Sequence, residues 1–122
     1  MRQAVNLSGQ AKSLIALAEE TLECYLSNEI SFEKLHVKLT DKFKKIDEIY
    51  RMGINIGLSP YECKDISTKF QSLIAHAHNV YLPFSDIGKG FEKEQTVFNI
   101  KSQTKRYHEA LAGFEYELKK IQ

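Results

Sequence analysis

Residues 59–83 read SPYECKDISTKFQSLIAHAHNVYLP and carry the most complete helix signal in the chain. Ser59, Pro60 and Glu62 form a capping box, in which serine and glutamate satisfy free amide groups at a helix start and proline takes the first helical position. Pro83 ends the pattern because it has no amide hydrogen and disfavours helical dihedral angles at the residue before it. Between these limits, apolar residues recur at steps of three and four, as on one helix face: Cys63, Ile66, Phe70, Leu73, Ile74, Ala77, Val80 and Tyr81. The stretch predicts a helix over 60–82.

Three other segments repeat this periodicity. Ser8 and Ser31 stand at N-cap positions before the first two of them, and Asn28 lies where the first one ends. The last segment runs from Val97 to Ile121, and only Thr104 interrupts its apolar seam. Taken together, the four segments predict helices over 9–27, 32–53, 60–82 and 91–121.

Four amphipathic helices expose four apolar stripes, and mutual packing within one chain hides all of them. The connections at 28–30 and 54–58 are short, so neighbouring helices should run antiparallel, and residues 82–90 form a longer loop before the last helix. We therefore predict an all-α protein, a single domain over 1–122 folded as an antiparallel up-down-up-down four-helix bundle. An alternative is that the seam of the fourth helix pairs with a second copy of the chain and forms a homodimer.

The composition of the 122 residues is that of an ordinary globular domain, 43% hydrophobic and 27% charged. The net charge of +1 gives no field that would attract nucleic acid or an anionic membrane. No apolar run approaches the length of about 18 residues that a membrane span requires. Cys24 and Cys63 match no metal or redox pattern, and the first residues do not resemble a secretory signal. We expect a cytoplasmic protein without a cofactor.

Lysines at steps of three and four form a basic row on the second helix: Lys34, Lys38, Lys42 and Lys45. This row would suit phosphate groups, and nucleic-acid binding is the second alternative function. The first helix carries Glu19, Glu20 and Glu23, however, and a short connection brings it beside the second. The simpler interpretation is a pair of complementary, solvated faces whose ion pairs contribute little to stability.

Two carboxylate motifs give the first alternative function. Residues 19–23 read EETLE, an EExxE motif, and residues 62–65 read ECKD, an ExxD motif. Together they are similar to the signature of the all-helical MazG-type nucleotide pyrophosphatases. That resemblance implies an Mg²⁺-dependent pyrophosphohydrolase with Glu20, Glu23, Glu62 and Asp65 as metal ligands. The gap between the motifs is longer than in that family, and Glu62 already serves the capping box.

A second resemblance involves His78. Ala77-His78 followed by Ile87-Gly88 is similar to a histidine phosphotransfer domain, which is also a four-helix bundle. That family has a lysine and a glycine just after the histidine so that a response regulator can approach. In this chain the bulky residues 81–83, YLP, occupy that region. His76 adds no zinc site, because side chains two positions apart point to different sides of a helix.

Apolar residues outside the stripes point to the leading hypothesis. Phe84, Ile87 and Phe91 lie in or beside the long loop, while Val37, Phe98 and Tyr116 lie off their helices' main stripes. Some would cap the core; several exposed together would form a patch that anchors a partner protein. We predict a non-catalytic module, of the adaptor, chaperone, immunity or antitoxin, or inhibitor type, that binds another protein by steric fit. Its predicted contacts are Phe84, Ile87, Phe91, Lys34, Lys38 and Lys42.

Overall fold

The chain folds into four α-helices. A computed structural model describes residues 2–56, 60–84 and 93–120. The helices are α1 (Arg2–Leu26), α2 (Phe32–Ile54), α3 (Pro60–Tyr81) and α4 (Lys93–Lys120), and a 3₁₀ turn, Leu82–Phe84, follows α3. These described ranges contain no β-strand, which confirms the predicted all-α class. None of the helices, over the parts described, has a stretch apolar enough to cross a bilayer.

The predicted start of α1 is wrong by two turns. The helix begins at Arg2, and Ser8 is a buried residue within it instead of its N-cap. Ala4 and Leu7 are buried and continue the stripe of Ala11 toward the N-terminus, so packing extends the helix past the serine. The end of α1 is as predicted, because Asn28 adopts a positive φ of 63° immediately beyond it. Asparagine tolerates this left-handed conformation, which terminates helices.

The start of α2 confirms Ser31 as its N-cap. The Ser31 Oγ accepts a hydrogen bond from the backbone amide of Lys34 at 3.2 Å. The other predicted cap, Ser59 with Glu62, lies outside the residues whose side chains the structure describes, although α3 does begin at Pro60. At the far end of α3, Leu82 belongs to a 3₁₀ turn, whereas the proline rule predicted an extended residue. The turn keeps the chain close to α3 instead of releasing it into a loop.

Successive helices run antiparallel, as predicted. Near the start of α2, the ring of His36 lies 5.4 Å from that of Phe84, which follows the end of α3. Gly53, near the end of α2, lies against Ile74 and Phe70 of α3. The bundle is uneven, however: α3 is its central helix and α4 packs chiefly on α3, while α1 and α4 approach each other at few points. The α1–α4 edge is therefore the open side of the bundle.

The core is a single apolar cluster to which all four helices contribute. Its largest fully buried side chains are Tyr81, Tyr107, Phe70, Phe84 and Phe114. The apolar seam of α4 is buried within the same chain, with Ile100, Tyr107 and Phe114 facing inward. Over these residues the seam is covered by the other helices of the same chain.

The burial of Phe84 contradicts its predicted role as a contact for a partner protein. Its exposed fraction is 0%, and its ring meets His36 edge to face. The 3₁₀ turn folds the residue back against α2 and α3, where burial of a phenyl ring is favourable. Phe84 is a core residue and not a contact for a partner.

Two glycines give a matched test of the close packing of α2 on α3. Gly9 is an exposed helical residue with nothing within 4 Å of an added Cβ, so Gly9→Ala should raise the free energy of unfolding by up to about 1 kcal/mol. At Gly53 the added Cβ would overlap Ile74 Cδ1 and lie 3.3 Å from Phe70 Cε1. Gly53→Ala should therefore lower the same quantity by about 1–3 kcal/mol through overpacking. Urea denaturation measures both, and equal stabilisation by the two substitutions would contradict the close packing of α2 on α3.

Candidate functional site

The open α1–α4 edge is joined by polar links. Glu19 Oε1 of α1 accepts a hydrogen bond from His108 Nε2 of α4 at 2.9 Å. Nearer the other end, Lys12 Nζ lies 3.8 Å from Glu115 Oε1. These exposed pairs bridge two helices that make little close contact, and hollows remain between them. Two hollows lie side by side toward the C-terminal end of α1.

One of these two hollows, which we name the apolar hollow, has a volume of about 410 Å³. Leu26 and Phe98 are exposed to 42% and 67%, and Tyr25 and Val97 beside them are half-buried. Its lining is completed by Lys93, Glu94 and Lys101. Large apolar side chains gathered in one exposed hollow mark interaction sites on protein surfaces.

Of the two exposed apolar residues in this hollow, the sequence pattern singles out Phe98 but not Leu26. Phe98 lies off the α4 stripe, as predicted, and is exposed. Leu26 fits the buried stripe of α1 by its spacing, yet it is exposed because α1 ends there and α4 does not close over it. Helical periodicity shows which face of a helix is apolar, but it does not show whether a neighbour covers that face.

The other hollow between α1 and α4, which we name the acidic hollow, has a volume of about 340 Å³. Glu19, Glu20 and Glu23 line it together with Lys101, which also lines the apolar hollow. Two buried residues, Leu22 and Thr104, complete the lining. Thr104 is only 8% exposed, and its Oγ1 has no hydrogen-bond partner in the structure. The arrangement combines carboxylates at the surface with an unused hydroxyl in the wall.

The basic row of α2 does not take part in either hollow. Lys34 and Lys38 are exposed and Lys42 is half-buried. Within the described residues, none of them forms an ion pair with the glutamates of α1. Glu19 is instead paired with His108 of α4. The other predicted contacts, Ile87 and Phe91, lie outside the described residues.

The structure separates the carboxylates of the two MazG-like motifs. Tyr81 donates a hydrogen bond from its hydroxyl to the Leu14 carbonyl, which sets the register of the parallel helices α1 and α3. With a rise of 1.5 Å per residue, Asp65 lies roughly 24 Å from Tyr81 in one direction and Glu20 about 9 Å from Leu14 in the other. Roughly 30 Å therefore separates Asp65 from Glu20, too far for one ion. Among the side chains described, no three His, Cys, Asp or Glu residues are grouped to hold a metal.

A polar cluster that the sequence did not predict lies between α2 and α3. Asp47 accepts hydrogen bonds from Arg51 Nε at 2.8 Å and from His78 Nε2 at 3.1 Å. The His78 ring stacks on Tyr50 at 4.6 Å and lies 5.5 Å from Phe43. The hydrogen bond from Arg51 is the main reason why the pKa of Asp47 is lowered.

This cluster links α2 to α3 and engages the histidine that resembles a phosphotransfer residue. The side chain of His78 is largely covered, so it is not presented to a response regulator. The spacing of Asp47 and Arg51 is visible in the sequence as an i, i+4 pair. The contribution of His78 depends on the register of α3 against α2, which no local pattern reveals.

Comparison of the chain with protein-family models, with curated proteins and with solved structures finds no match.

Proposed function

We propose that this chain is a non-catalytic protein-binding module that holds a partner protein at the apolar hollow. One observation carries the proposal: Leu26 and Phe98 are exposed together in a single hollow. Removing such side chains from water favours association, and aromatic anchors seated near the centre of an interface contribute most of the binding energy. The hollow is bounded by side chains on two helices, so its backbone is already ordered before a partner binds.

Binding at this edge would act by steric fit, as in an adaptor, a chaperone, an antitoxin or an inhibitor. The separation of Glu20 from Asp65 gives a pyrophosphohydrolase no support from the described residues. Cys24 is a free thiol, which is consistent with our proposal of a cytoplasmic location. The lysine row on α2 lies away from the hollow and serves, in this proposal, to speed encounter with an acidic surface.

Affinity capture from the source organism with three baits tests the proposal. Phe98→Asp places a charge in the apolar hollow. Val37→Asp is the matched control, because Val37 is exposed to 58% on α2 and lines neither hollow. Mass spectrometry should find a protein that the wild type and Val37→Asp retain equally and that Phe98→Asp retains at least tenfold less. The proposal fails if all three baits retain the same proteins, or if the wild type retains none above background.

A further inference from the structure

We infer that the partner segment is an amphipathic helix with an apolar anchor followed, one to two turns along, by a lysine or arginine. The anchor occupies the apolar hollow and the basic side chain occupies the acidic hollow. This inference rests on the proposed function, because it assumes that the apolar hollow binds a protein.

The shape of the edge favours a helix as the ligand. Both hollows lie between α1 and α4 and share Lys101 in their linings, so they are neighbours along two antiparallel helices. A third helix packs into the groove between two such helices through its ridges of side chains. A peptide that binds by adding a β-strand would instead require the edge of a sheet, and the described residues contain no strand.

The spacing of the two hollows sets the spacing of the ligand residues. Leu26 is followed, toward the N-terminus of α1, by Glu23 and Glu20 at roughly 5 and 9 Å of helical rise. A ligand helix covers these distances in about one to two turns, which places the basic residue roughly three to six positions from the anchor.

The charges of the acidic hollow select a basic side chain. Glu20 and Glu23 are exposed, and among the described ion pairs neither carboxylate takes part. Lys101 is the one amine in the lining, against three carboxylates. Lysine and arginine present donors only, which complements carboxylates in both charge and hydrogen bonding.

Thr104 gives a second, independent reason for a donor at this position. Its Oγ1 is buried in the wall of the acidic hollow without a partner. A buried polar atom left unpaired is unfavourable, and rotation of the Thr104 side chain toward the hollow would let a ligand donor remove that penalty. The hollow thus has carboxylates at its mouth and an unpaired hydroxyl behind its wall.

Selection from a phage library of helical peptides with randomised surface positions tests the inference. Peptides enriched on the wild-type protein should carry a large apolar residue and a lysine or arginine roughly three to six positions away. In fluorescence anisotropy with the best peptide, changing its basic residue to alanine should weaken binding to the wild type at least tenfold. The same change should weaken binding to the Glu20→Gln/Glu23→Gln variant less than twofold. Asp65→Asn, an exposed carboxylate at the other end of the bundle, is the control and should behave as the wild type.

The outcomes separate the two proposals. Enriched peptides that share an apolar anchor and lose binding to Phe98→Asp, but show no preference for a basic residue, would overturn this inference and leave the proposed function standing. A selection that enriches no peptide dependent on Phe98 would count against both.

Discussion

Replacing Phe84 by alanine is expected to lower the free energy of unfolding by about 3–5 kcal/mol. The side chain is fully buried, its ring meets His36, and the 3₁₀ turn holds it against α2 and α3. Alanine would leave a cavity that the packed helices fill only in part, so the lost transfer energy and the cavity both reduce stability. Urea denaturation followed by circular dichroism measures the change.

Phe98→Ala is the matched control, because it removes the same side chain from an exposed position of the bundle. We expect its effect on the free energy of unfolding to lie within about 0.5 kcal/mol of zero. Similar values for the two substitutions would show that Phe84 is not part of the core. Partner binding is tested at Phe98, since a change at Phe84 would lower stability and so confound any effect on a complex.

The protein is expected to lose roughly 4 kcal/mol of stability between pH 10 and pH 12, through two buried tyrosines. Burial raises the pKa of Tyr107 to about 12, and nearby Glu115 and Glu19 add to the effect. Burial also raises the pKa of Tyr81 well above its usual value. In the unfolded chain both phenols ionise near pH 10.

The direction of the effect follows from these pKa values. A group whose pKa is higher in the folded state stabilises that state fully below the unfolded pKa and progressively less as the pH rises above it. Each pH unit above 10 thus removes up to about 1.4 kcal/mol per tyrosine. Because small domains are stable by only about 5–15 kcal/mol, this loss should bring the protein close to unfolding at pH 12.

Urea denaturation at pH values from 8 to 12 tests this expectation. The Tyr81→Phe/Tyr107→Phe variant should show a much smaller dependence on pH, whatever stability it loses with the hydrogen bond from Tyr81 to Leu14. Tyr116→Phe is the control, because Tyr116 is exposed to 62% and its replacement should leave the dependence unchanged. A wild-type stability that is constant up to pH 12 would contradict the burial of the two phenols.

Local patterns predicted the helices well wherever the determining interactions are themselves local. Ser31 caps α2 through an amide three residues away, and Asn28 ends α1 through its own backbone conformation. The start of α1 was missed because Ser8 satisfies the rule for a cap, yet the burial of Ala4 and Leu7 against other helices extends α1 beyond it. Packing with distant residues outweighs a local cap in this case.

In the candidate site, too, some features follow from local sequence and others from packing between distant residues. The position of Phe98 off the α4 stripe and the acidic character of residues 19–23 can be read from the sequence, because both depend on position along a single helix. The burial of Phe84, the exposure of Leu26 and the pairing of Glu19 with His108 depend on which helices meet and at what register. Periodicity determines which face of each helix avoids water. Only the tertiary structure decides which neighbour covers that face, because contacts between residues far apart in the chain leave no pattern within any one helix.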